Sequence, residues 1–198
     1  MAYEYIIRDT ERVYVNNELI LTNRQVVDAM NFANEALRAL DEQTKAFDIN
    51  IFETMGMRNL SGIVGEYLGK SLQRFSQGNL HSNLHQDGYP DLLLVNTPER
   101  KKYFETLYTI SNGKKYPRDK SLFSPYLYGG VEVKATCGST PPASRVPKPL
   151  IGEQRIDLVN SFDWKAHHRE TNNLIGIFWD FIKEVLNSFL KFPCEGES

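Results

Sequence analysis

The chain has 198 residues, 41% of them hydrophobic and 24% charged, which excludes a disordered or fibrous protein and suits one folded domain with its own core. A net charge of -2 does not by itself point to nucleic acid, yet residues 1–66 carry 11 acidic and 6 basic side chains whereas residues 100–169 carry 6 and 13. The charged N-terminus lacks the apolar core of a signal peptide, no stretch approaches membrane-span length, and Cys137 and Cys194 lie far apart, so a cytoplasmic protein with two free thiols is expected rather than a secreted disulfide scaffold.

In chain order, the first clear element is a helix over about 23–40, where Val26, Val27, Met30, Phe32, Ala33, Leu37 and Leu40 recur at helical spacing behind a cap at Thr22 or Asn23. A second helix, from 59 or 61 to 75, gathers Leu60, Ile63, Val64, Tyr67, Leu68, Leu72 and Phe75 into one stripe. Gly62, Gly65 and Gly69 lower its intrinsic propensity, so tertiary packing must hold it.

The segment 77–90 is rich in turn formers and runs into Leu92, Leu93, Leu94 and Val95, an apolar run short enough to be a buried strand beginning near Asp91. Residues 96–128 alternate aromatic and β-branched side chains with basic turns, which predicts a β excursion or hairpin. A strand follows over 130–135, and because side chains repeat with period two it places Glu132 and Lys134 on one face. The next stretch contains Pro141, Pro142, Pro147 and Pro149 and must be a loop or extended arm. A last buried strand is expected over 174–181.

If the strands at 91 and 132 pair, two carboxylates and an ammonium converge. That is the set phosphodiester cleavage needs: hard oxygen ligands for a divalent cation, and a fixed positive charge beside the attacking water and the phosphate. Asp91, Glu132 and the backbone carbonyl of Val133 are the expected metal ligands, and Lys134 would hold the water or stabilise developing charge. Otherwise Asp91 caps a turn, and Glu132 and Lys134 are the solvent-facing residues of a half-exposed strand. A zinc site from His81, His85, Cys137 and His167 has four possible ligands but fits no closed spacing.

Pro90-Asp91 before an apolar strand, followed by Glu132-Val133-Lys134, resembles the signature of the PD-(D/E)xK nuclease superfamily, and within it the type II restriction endonucleases. The resemblance covers the organisation of roughly residues 59–181, while the motif itself is five residues. It implies a restriction-endonuclease-like α/β/α core with a central mixed sheet and a helical N-terminal part. It also implies Mg2+-dependent hydrolysis of double-stranded DNA leaving 5'-phosphates, with Mn2+ able to substitute, and a homodimer on its site. Glu66 stands where the family often adds a glutamate from the preceding helix; its other reading is an exposed partner of Lys70.

A single nuclease domain over 1–198 follows from this resemblance. Its parts are 1–58 as an N-terminal helical or dimerisation part, 59–181 as the catalytic core, and 96–128 as an insert that must form its own structure if the motif strands are to pair. Ser139, Thr140, Arg145, Lys148, Arg155, Lys165, His167, His168, Arg169, Thr171, Asn172 and Asn173 form the candidate DNA-facing surface, a tract of donors, acceptors and charge suited to phosphates and base edges. A repair or junction-resolving nuclease would share the site, and a non-catalytic DNA-binding protein would share only the basic half.

Overall fold

A computed structural model describes residues 12–137, 173–182 and 189–191. Its first element is a hairpin rather than a helix: β1 (Arg12–Val15) and β2 (Glu18–Thr22) pair antiparallel around Asn16 and Asn17, whose φ angles of 51° and 64° are the left-handed pair that a two-residue turn requires and asparagine tolerates. The expectation that 1–58 is helical is therefore corrected for this stretch. With four and five residues and a register shift between Val13 and Tyr14, the strands are too short and irregular to print an alternating pattern on the sequence.

Thr22 ends β2 and caps α1 (Asn23–Lys45). Its hydroxyl accepts from the Gln25 N–H at 3.3 Å, while the Gln25 side-chain oxygen accepts from the Thr22 N–H at 2.8 Å, a reciprocal capping box. The Gln25 amide also donates to the Phe75 carbonyl at 2.9 Å, tying the start of one helix to the end of another. The helix runs on past 40 because Lys45 pairs with Asp41 at 2.5 Å and the Thr44 hydroxyl donates to the Leu40 carbonyl at 3.1 Å.

After the short α2 (Ile51–Thr54), α3 (Met57–Phe75) buries Leu60, Val64, Leu68 and Leu72, the stripe expected from their spacing. It packs between α1 and a four-stranded sheet of β3 (Leu80–Ser82), β4 (Leu92–Leu94), β7 (Gly130–Thr136) and β8 (Leu174–Phe178), in the order β3-β4-β7-β8. The first three are antiparallel in turn and β8 lies parallel to β7, so the fold is mixed α/β.

Antiparallel partners share a face, and the pairs Leu80 with Leu94 and Leu92 with Val131 all turn toward α3 into the main core. Leu93 and Val95 point the other way, into a second cluster with Phe104, Leu107, Tyr108, Phe123 and Tyr126. Full burial of each such side chain stabilises by about 1.5–3 kcal/mol.

That second cluster belongs to the insert, which does form its own structure. It contains the expected hairpin, β5 (Tyr108–Ser111) with β6 (Lys114–Pro117), closed by Asn112-Gly113 with φ angles of 50° and 73°. A helix, α4 (Pro98–Thr106), precedes it where only strand or loop was expected. Its start is conventional: Thr97 caps it, accepting from the Arg100 N–H at 3.2 Å, and Pro98 opens the first turn. Arg100 then reaches back to Glu18 of β2 through a bidentate pair at 2.7 and 3.0 Å, which holds the Glu18 carboxyl below its usual range.

The single strand expected over 174–181 is divided at Trp179, where the pairing of β8 with β7 has run to its last described pair, Thr136 with Phe178. The Trp179 N–H donates to the Thr136 carbonyl at 2.9 Å, and its buried indole donates to the Ser61 hydroxyl at 3.1 Å. β9 (Asp180–Ile182) pairs instead with β10 (Phe189–Lys191). Among the described residues no helix is long and apolar enough to cross a membrane.

Gly130 fixes the spacing between β4 and β7: a Cβ there would collide with the Leu92 carbonyl oxygen and lie 2.8 Å from Pro90 Cγ. Gly130→Ala is therefore expected to lose about 1–3 kcal/mol or more. Gly62→Ala, where an added Cβ meets nothing within 4 Å, should instead gain about 0.5–1 kcal/mol of helix stability. Urea denaturation of the two variants beside the parent chain tests this opposition.

Candidate active site

β4 stops at its start, with Asp91 just before Leu92, while β7 continues beyond Val131 to Thr136. The ladder between them would lapse here, but the side chains extend it. The Val133 N–H donates to Asp91 Oδ2 at 2.8 Å, and the Asp91 N–H donates to Glu132 Oε2 at 3.2 Å. Each carboxylate thus bonds the backbone of the other strand, and together they replace the missing rung.

Lys134 closes the group. Its Nζ lies 2.5 Å from Glu132 Oε1 and 3.6 Å from Asp91 Oδ2. The period-two reading of β7 accounts for this: Val131 and Val133 are buried toward α3, and the two polar residues fall on the opposite face with Asp91. Glu132 is almost wholly buried, at 5% exposure, whereas the side chains of Asp91 and Lys134 keep 43% and 28% of theirs.

Burial raises the Glu132 carboxyl above its ordinary range; the hydrogen bond from Lys134 opposes this and the negative charge of Asp91 adds to it. Burial alone would lower the Lys134 ammonium, but the hydrogen bond to Glu132 and the charges of Asp91 and Glu132 outweigh it, and Lys134 titrates above its ordinary value. At neutral pH Lys134 is a fixed cation.

Asp91 and Lys134 line a cleft of about 500 Å³ between the middle of α3, the loop from Ser82 to Gly88 and the second half of β7. Glu66 is exposed on α3 and borders this cleft with Asp91 and Lys134; Lys70 bonds Gln73 at 3.2 Å rather than Glu66. The three glycines of α3 line the same cleft. A Cβ at Gly62 or Gly69 would meet nothing within 4 Å, and at Gly65 only the Ala135 methyl at 3.7 Å, so these glycines keep the cleft open rather than admit a close helix contact.

The sequence did not single out Asn83, which holds the loop over the site. Its side-chain amide donates to the Pro90 and Phe123 carbonyls at 3.0 and 3.2 Å, its N–H donates to the Asp91 carbonyl at 2.8 Å, and its side-chain oxygen accepts from the His85 N–H at 3.1 Å. An asparagine in a turn-rich stretch looks like a turn former, and nothing local signals bonds to residues 7 and 40 positions away.

Of the candidate DNA-facing residues, Asn173 is described, and its carbonyl accepts from the Glu132 N–H at 2.9 Å. Ser139, Thr140, Arg145, Lys148, Arg155, Lys165, His167, His168, Arg169, Thr171 and Asn172 lie outside the described residues. Among the described residues there is no group of three or more His, Cys, Asp or Glu gathered for a metal. His81 packs on Phe104 and His85 on Phe123, with ring centroids 4.4 and 5.7 Å apart.

The donor set nevertheless fits a hard divalent ion bound in an open site. Asp91 and Glu132 already converge on one positive charge, and Mg2+ commonly takes only one or two protein carboxylates, completing its shell with water and phosphate. The chain matches no family model, no curated protein and no solved structure.

Replacing Lys134 by Met leaves Glu132 buried without its cation. The folded state then favours the protonated carboxyl more strongly, so the penalty exists above the raised Glu132 value and is relieved as pH falls through it. Thermal unfolding should show Lys134→Met destabilised by about 1–3 kcal/mol at neutral pH, with the deficit relative to the parent narrowing on acidification.

Proposed function

We propose that this chain is a Mg2+-dependent endodeoxyribonuclease with the PD-(D/E)xK arrangement, and specifically a type II restriction endonuclease acting on double-stranded DNA. The observation that carries this reading is the meeting of Asp91, Glu132 and Lys134 where β4 and β7 pair, with Asp91 and Lys134 lining one cleft. The mixed sheet, with α3 on one face and the insert on the other, supports a restriction-endonuclease-like core.

In this reading Asp91, Glu132 and the Val133 carbonyl hold the ion, and Glu66 supports its shell from the rim. The bound ion would offset negative charge on the scissile phosphate and make an attacking water more acidic. Lys134, kept protonated by its two carboxylate neighbours, does not take up a proton; it orients the water and stabilises charge developing on the phosphate. Burial of Glu132 and the reciprocal bonds to Asp91 fix these groups before substrate arrives, so little reorganisation is left for the reaction itself. Two such subunits would place one site on each strand of a duplex, which is the reason for proposing a homodimer.

Digestion of a long DNA with Mg2+, followed by sequencing of the fragment ends, should give discrete sites with 5'-phosphates. Lys134→Ala should cut at least about a hundredfold more slowly while retaining DNA binding, since it removes one positive charge of many. Cutting confined to branched or damaged DNA would move the same chemistry to a structure-selective nuclease. Binding without cutting in either Mg2+ or Mn2+ would remove the catalytic reading altogether.

A further inference from the structure

A second recess, of about 620 Å³, lies between the last turns of α3, the strand β3 and the insert. Its wall is basic: Lys70 and Arg74 come from α3, Lys101 from α4 and Lys115 from β6, with Glu105 as the acidic residue among the lining. All four cations are exposed, and none forms an ion pair with a carboxylate among the described residues. Four exposed, like-charged groups drawn from three elements repel one another, a cost that an anion spanning them would remove.

Lys70 also lines the cleft that contains Asp91 and Lys134, so the two recesses adjoin along one helix. The aromatic rings in the basic recess are already engaged. The Arg74 guanidinium lies over Phe32 at 4.7 Å from the ring centroid, and Phe104 is buried against His81. The recess therefore offers four exposed cations beside one half-exposed ring, that of Phe32. Charge dominates it, which suits phosphates.

We infer that this recess seats the sugar-phosphate backbone of duplex DNA flanking the cut, with Lys101 and Lys115 of the insert gripping it from the side opposite α3. The inference rests on the nuclease reading for the identity of the polyanion, but it assigns a surface and a role to the insert that the reaction itself does not require. Contacts of this kind carry no base information and contribute affinity that falls with salt.

The test is fluorescence anisotropy with a labelled 30-base-pair duplex, without divalent metal, across a salt series. Lys101→Glu/Lys115→Glu is compared with Lys102→Glu/Lys114→Glu, an equal charge change on exposed neighbours that do not line the recess. Thermal unfolding confirms that both variants are folded.

The recess variant should bind at least about tenfold more weakly at 0.1 M salt, with the slope of log K against log salt shallower by about 2. The control should bind within about threefold of the parent. Equal effects in the two variants, or an unchanged salt slope, would overturn the assignment. A parent chain that binds and cuts DNA while the recess variant binds normally would refute the recess alone, whereas a parent chain that neither binds nor cuts DNA would refute the nuclease reading with it.

Discussion

Two hydrogen bonds, from the Val133 N–H to Asp91 and from the Asp91 N–H to Glu132, hold together the part of this molecule on which the rest depends. They form just before β4 begins, so side chains extend a ladder that backbone alone would drop. Gly130 sets the distance at which this is possible, since β4 and β7 approach too closely there for any side chain. The polar group is thus a structural joint as well as a candidate reactive centre. Its carboxylates are placed by strand pairing, and its lysine is placed by the carboxylates.

This double duty has an energetic signature. Glu132 is buried at some cost, and the cost is met by Lys134 and by the Asp91 backbone. A buried carboxylate held this way is a weak source of stability, because an apolar side chain of similar size would pack there with no charge to desolvate.

The elements that were legible in the sequence are those whose period survived over several turns or alternations. α1 and α3 were readable from apolar stripes, and β7 from the alternation that separates Val131 and Val133 from Glu132 and Lys134. β4 was legible as a run of leucines because both of its faces are buried.

Other elements left too faint a trace. α4 buries only Phe104 and carries charge around most of its surface, so its nine residues show no stripe, although Thr97 and Pro98 mark its start. β3 has three residues, fewer than a period can be read from. Asn83 acts through contacts distant in sequence, and the break at Trp179 depends on where a neighbouring strand ends. Both are tertiary facts with no local cause.

Leu92 and Leu94 belong to one apolar cluster, while Leu93 and Val95 belong to the other. A strand of three residues is in this sense a party wall. Neither compartment can melt without stripping one side of it, so the two should come apart in a single cooperative transition and not as separable units. An excised insert would lack the surface on which its aromatic residues condense, and a trimmed chain without the insert would present Leu93 and Val95 to water beside Asp91.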